Sequence, residues 1–158
     1  MSVAKTLFIV SKAVLIYVYI GYPFLCLLLS RLKRNKYKTD DIIPSVTIII
    51  AAYNEENCIA ETVQNKLELD YPSDKLEIIV VSDASSDNTD ALVAGIAEQD
   101  SRVIFLRQQN RRGKTAALNT AAEVATGEIL VFSDANSIYN QSTLLNLVKP
   151  FADSSVGY

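Results

Sequence analysis

Three short apolar runs, Val46–Ala52 (VTIIIAA), Leu76–Ser82 (LEIIVVS) and Glu128–Phe132 (EILVF), each stop abruptly against a polar loop. This feature constrains the fold most. Runs of β-branched residues without polar alternation read as strands buried on both faces, as in parallel sheets. Between and after them the pattern turns helical. Ile59, Val63 and Leu67 share one face of a helix reaching to about Leu69, and Asp87 to Thr89 supply N-cap chemistry for a helix ending near Gln99. Val103–Leu106 is a short further strand, Thr115–Ala125 is alanine-rich and strongly helical, and Asn140 to Lys149 is a last helix stopped by Pro150. Gly127 stands where an αL cap is expected. The alternation βαβαβαβα predicts an α/β fold with a mostly parallel sheet and covering helices.

Parallel strands place all their carboxyl ends on one rim, where ligands of open α/β sheets bind. The polar residues at those ends are Asn54 and Glu55, then Asp83, then Asp134 and Asn136. Asp134 and Asn136 are two apart, so in an extended segment both point the same way and can converge on a divalent cation or a ribose hydroxyl. An Asx turn closing the strand is the alternative for that pair. The basic loop Arg107–Lys114 joins a strand end to a helix start, so Arg111, Arg112 and Lys114 reach the same rim. Carboxylates for a sugar or metal beside cations for phosphate suit a nucleoside diphosphate.

The chain has 158 residues, 15 Lys and Arg against 18 Asp and Glu, and no histidine. The acidic balance, without a long basic tract, argues against a nucleic-acid partner. The lack of histidine excludes Ser-His-Asp and Cys-His catalysis and every histidine-ligated metal site. A general base falls to a carboxylate, or to Lys or Tyr. Cys26 and Cys58 form no Cys-x-x-Cys motif and read as small buried hydrophobes.

From Ala13 to Leu29 there is no charge, and extension back to Leu7 gives a segment long enough to cross a hydrocarbon core, which needs about 20 residues. Lys12 snorkels and Gly21-Pro23 bends the helix without forbidding it. A cleaved signal peptide is the rival reading, but its small-x-small site is missing. Arg31, Lys33, Arg34, Lys36 and Lys38 follow the segment, whereas Lys5 and Lys12 precede or edge it. The positive-inside bias then puts the globular part in the cytoplasm. The membrane is expected to be the plasma or inner membrane. The expected organisation is an anchor over 1–30, a basic juxtamembrane linker over 31–43 and a globular part over 44–158.

Two nucleotide motifs fail. Gly113-Lys114-Thr115 looks like the end of a Walker loop, yet Gln108 stands where its first glycine is required. A dinucleotide-binding Gly-x-Gly-x-x-Gly would follow the first strand, where the chain reads AAYNEEN.

Taken together, VTIIIAAYNEEN, EIIVVSDASSDNT, RRGKTAALN and ILVFSDANS, in this order and spacing, resemble the nucleotide-sugar-binding half of family 2 glycosyltransferases with the GT-A fold. The resemblance covers about Pro44 to Tyr158 and rests on four motifs in register. It implies transfer of a sugar from a nucleotide donor with inversion, a Mg²⁺ or Mn²⁺ cofactor, and a glycan or lipid-linked acceptor at the cytoplasmic membrane face. Carried over by position, Ala52, Tyr53 and Glu55 line the nucleoside pocket and Asp83 bonds the base, usually uracil. Lys114, with Arg111 or Arg112 as weaker candidates, faces the pyrophosphate. Asp134 begins the family's Asp-x-Asp motif and contacts ribose and metal. Its third position is Asn136, whose amide oxygen ligates a hard cation without charge. The family's carboxylate base lies in the acceptor half, so it is expected beyond Tyr158 and the chain is expected to be the donor-binding half, inactive alone. Transfer to a polyprenyl phosphate and a degenerate nucleotide-binding module are the competing implications.

Overall fold

The structure, a computed structural model, describes residues 2–32 and 38–157, which fall into two units, Met1–Tyr37 and Lys38–Tyr158. In the first unit, helix α1 (Val3–Ile16) runs through a π-helical turn (Tyr17–Gly21) into α2 (Tyr22–Leu32). Pro23 has no N–H to give to the preceding turn, and a widened π turn is one way a helix absorbs that loss. The 29 residues Val3–Arg31, with mean hydropathy 2.0 and none of their apolar window buried, are long and apolar enough to span a bilayer. Lys33, Arg34 and Lys36, expected in a basic linker, lie outside the described residues.

The second unit is one four-stranded, all-parallel sheet. β1 (Val46–Ala52) pairs with β2 (Leu76–Ser82) and with β4 (Ile129–Asp134), and β2 pairs with β3 (Val103–Arg107), giving the order β3-β2-β1-β4. The helices are α3 (Ile59–Leu67), α4 (Thr89–Gln99), α5 (Lys114–Ala122) and α6 (Thr143–Val148). One sheet face carries the larger core, in which Ile48, Ile50, Ile78 and Val80 meet Ile59, Val63, Val93 and Leu144. The other carries a smaller one, Ile49, Ile79 and Val81 against Ala117 and Ala121, where small side chains let α5 lie close to the sheet. The expected parallel α/β sheet is the fold observed.

Four local expectations are corrected. The last strand was expected to be buried, but it is an edge. α5 covers β1 and β2, so Leu130 and Phe132 on its side of β4 remain 37% and 57% exposed. Gly127 was expected as an αL cap. Yet α5 has already ended at Ala122, and Gly113 is the only described glycine with positive φ. Gly127 is instead required by close approach to Thr47. Residues 38–43, expected in the linker, are tied to the globular unit. There Lys38 donates its N–H to Asp153 (2.9 Å), Lys149 pairs with Asp41 (3.0 Å) and Lys75 reaches the Ile43 carbonyl (2.6 Å). Finally, the buried stripe of α3 is Ile59, Thr62, Val63 and Lys66, with Leu67 only partly buried.

At the rim opposite the strand carboxyl ends, Glu77 accepts from Thr47 Oγ1 (2.6 Å), Thr126 N (3.1 Å) and Thr126 Oγ1 (2.8 Å), clasping three segments together. Burial pushes the Glu77 carboxyl up, but these hydrogen bonds outweigh it and hold the pKa below its usual 4.5. A depressed folded value means stability that is full above the unfolded value and lost as pH falls through the folded one. The melting midpoint is therefore expected to fall in acid below about pH 4.5 by an increment that Glu77→Gln lacks. Equal acid sensitivity of the two proteins in a pH-resolved thermal scan would deny the clasp its charge.

Candidate nucleotide-sugar site

The chain lays down β1, β2 and β3 outward in one direction, then returns to place β4 on the other side of β1. That reversal opens a crevice at the carboxyl ends of β1 and β4. A cleft of about 360 Å³ lies there, lined by Ala51, Ala52, Tyr53, Glu55, Asp83, Arg111, Gly113, Lys114, Asp134, Ala135 and Asn136. Eight of the nine residues singled out from sequence as donor or metal contacts line this one cleft. Arg112 does not; its backbone, not its guanidinium, takes part. Ala51, Gly113 and Ala135 were not singled out, because their contribution is backbone and space, which leaves no chemical signature.

Each wall is set by local chemistry. After β1 the chain turns at Asn54, whose φ of 56° is a left-handed conformation that Asn tolerates. Its Oδ1 accepts from Ser86 N (2.8 Å), while Glu55 N donates to Thr89 Oγ1 (2.8 Å) and Glu56 N to Asp87 (3.1 Å). The loops after β1 and β2 are thereby laced together, which fixes Tyr53 and Glu55 on the cleft wall. Asp87 Oδ1 also accepts from the backbone N–H of Thr89 (3.0 Å), so Asp87 caps α4 from one residue before the cap position.

Asp83 is buried, 4% exposed, and its two oxygens accept from the backbone N–H groups of Arg112 (2.7 Å) and Gly113 (2.8 Å). Gln108, with its amide nitrogen turned toward Asp83, donates to the same carboxylate at 2.6 Å while its oxygen accepts from Ala117 N (3.2 Å). The end of β2 thus pins the basic loop. Gly113 completes the pin at φ 88°, ψ 163°, a region open essentially to glycine alone. Arg111 is held over the Tyr53 ring at 3.9 Å. Gly113 then hands the chain to α5, whose N-terminal end, with Lys114 as its first residue, faces the cleft; a helix N-terminus favours an anion.

On the opposite wall Asp134 ends β4, paired in register with Ala51. Its carboxylate and Lys114 form an ion pair across the cleft, both side chains about 60% exposed. An exposed pair of this kind contributes about 0–1 kcal/mol and yields readily to a better partner. Among the described residues no three His, Cys, Asp or Glu side chains cluster as a complete metal site. Asp134 and Asn136 offer two oxygen donors, a hard set that fits Mg²⁺ or Mn²⁺ when a diphosphate completes the shell.

The sequence profile of Glycosyl transferase family 2 matches residues 47–157. A β-monoglucosyldiacylglycerol synthase of Trichormus variabilis is 31% identical over 140 residues, covering 87% of this chain and 30% of that protein. A poly-β-1,6-N-acetyl-D-glucosamine synthase of Staphylococcus aureus is 36% identical over 111 residues, covering 70% of this chain and 26% of that protein. Among solved structures, a mannosyltransferase of Pyrobaculum calidifontis in complex with GDP-Man and Mn²⁺ superposes with TM-score 0.79 at 38% identity, over 92% of this chain and 44% of its own. S. aureus TarS 1–349 in complex with UDP-GlcNAc gives 0.61 at 25% identity, over 66% of this chain and 30% of its own. The chain spans less than a third of the curated relatives it matches. With a GT-A-like parallel sheet, a cleft at its switch point and a profile match over most of its length, the chain belongs to glycosyl transferase family 2.

Proposed function

We propose that this chain is the donor-binding part of an inverting, membrane-anchored glycosyltransferase that takes sugar from a nucleoside diphosphate at the cytoplasmic membrane face. The observation that carries the reading is one cleft holding a carboxylate and an amide on one wall and a helix N-terminus with Lys114 on the other. Asp134 and Asn136 would hold a divalent cation together with the diphosphate. When bound, that cation offsets charge on the departing nucleoside diphosphate. Lys114 does the same work from the opposite wall, giving up Asp134 for phosphate. Tyr53, Arg111 and Glu55 enclose the nucleoside end, and a base contact from Asp83 stays compatible with its loop-pinning role, since the oxygen that accepts from Gly113 keeps a second lone pair. The acceptor is a glycan or a membrane lipid, the two classes that the relatives' names carry. The apolar span Val3–Arg31 supports a membrane location.

Calorimetric titration of the full chain in detergent with UDP and with GDP, each with and without Mn²⁺, tests this. Binding is expected to tighten with Mn²⁺. Asp134→Ala should remove the metal increment but leave metal-free binding, whereas Lys114→Ala should weaken both by about tenfold, the worth of one charge-assisted hydrogen bond. A folded chain that binds neither nucleotide under any condition sinks the reading and favours a degenerate module.

A further inference from the structure

Lys66 is the largest side chain that the structure buries completely, and nothing in the cleft explains it. It sits on the inward stripe of α3, where helical spacing calls for an apolar residue. Burial pushes its pKa down to about 8, and among the described residues no carboxylate lies within ion-pair distance. Burying an ammonium without a counter-ion is costly, so a side chain kept there is bound to something it must hold.

What it holds is the segment just past Asp134 and Asn136. Lys66 Nζ donates to the Ser137 carbonyl and to Asn65 Oδ1 (3.1 Å), and lies 3.7 Å from the centre of the Tyr139 ring. Its neighbour Asn65 brackets Tyr139 on both sides of the peptide, donating from Nδ2 to the carbonyl (3.0 Å) and accepting the N–H at Oδ1 (2.8 Å). Asn65 therefore acts as a one-residue strand partner, and Lys66 orients it. On the other side Ser137 N donates to the Asp134 carbonyl (3.2 Å), closing the turn that contains Asn136. The turn is fixed at both ends, by β4 and by α3.

We propose that Asn65 and Lys66 are positioning residues that hold the Asp134–Asn136 turn in the geometry required for metal-assisted diphosphate binding. This rests on the donor-site reading above. It adds to it a pair of residues on a helix that contributes no side chain to the cleft.

The test uses the full chain in detergent, with Lys66→Met and Asn65→Ala. Hydrogen exchange over 134–139 reads the turn, exchange over 76–82 reads the central sheet, and calorimetry with UDP and GDP, with and without Mn²⁺, reads the site. Losing two hydrogen bonds should speed exchange over 134–139 by about tenfold and leave 76–82 unchanged. The Mn²⁺-dependent gain in nucleotide affinity should fall by about tenfold, with metal-free affinity kept within about twofold. A merely structural role would instead loosen the sheet or lower both affinities together. Retained protection over 134–139, or a retained Mn²⁺ increment in a folded variant, overturns the proposal. If Lys66→Met does not fold, Asn65→Ala decides, since Asn65 is half-buried and the substitution loses only its two bonds to Tyr139 and the one it accepts from Lys66. A parent chain that binds no nucleotide sinks the donor-site reading, while the exchange result still decides whether the turn is held.

Discussion

Gly127→Ala is expected to destabilise the globular unit by about 3 kcal/mol, at the upper end for overpacking, with a melting midpoint lower by about 10 °C. A Cβ at Gly127 would lie 2.4 Å from Thr47 N, 2.7 Å from Thr47 Oγ1 and 2.7 Å from the Val46 carbonyl carbon. Two of these atoms are backbone of β1, the central strand, and cannot swing aside as a side-chain tip can. Relief requires moving either β1 or the start of β4. Either movement also costs the Gly127 N–H its bond to Thr47 Oγ1 (2.9 Å) and strains the Glu77 clasp that Thr47 and Thr126 share. Gly95→Ala is the control. Its Cβ meets nothing within 4 Å in the interior of α4, and it should stabilise by about 0.5–1 kcal/mol through helix propensity. Thermal melts of the two variants side by side check both signs. A Gly127→Ala protein as stable as the parent would mean that β1 and β4 are not packed as closely as the structure places them.

Gly127 also shows where the sequence is ambiguous. A glycine just past a helix serves equally as a left-handed cap or as a gap for a passing strand, and only the partner strand distinguishes the two. β1 and β2 were legible because burial on both faces imposes an unbroken β-branched run. β4 carries a similar run, yet its place at the sheet edge follows from strand order, which its own residues do not encode. Lys66 was illegible for another reason: a lysine in a helical pattern reads as the solvent face, and its burial depends on Ser137 and Tyr139, more than seventy residues away. The cleft, by contrast, could be assembled from sequence, since parallel strands deliver their polar ends to one rim whatever their order. The bonds that position those residues, Asp83 to the basic loop and Arg111 to Tyr53, are tertiary and had no local signal.

Asp83→Asn is expected to weaken nucleoside diphosphate binding by about a hundredfold, more than Lys114→Ala, although Lys114 carries the charge proposed to face phosphate. Lys114→Ala removes one cation and leaves its surroundings in place. Asp83→Asn turns one acceptor oxygen into an NH₂ group that must face either the Arg112 or the Gly113 N–H, now 2.7 and 2.8 Å away. Donor meets donor in a site that is 4% exposed, with little water to compensate. Hydrogen bonds to a charged group are worth about 1.5–3 kcal/mol each, so losing one and weakening the other is enough to release the loop. Released with it are Arg111 on Tyr53, the backbone geometry of Gly113 and the start of α5, which together form one whole wall of the cleft. The pattern across ligands separates this role from a base contact. If Asp83 acts by pinning the loop, UDP, GDP and inorganic pyrophosphate all lose affinity by similar factors. If it acts through the base, pyrophosphate is untouched and the ratio of UDP to GDP affinity changes. Titrating the three ligands into Asp83→Asn and the parent chain reads the difference directly. The bonds to Arg112 and Gly113 favour the uniform loss.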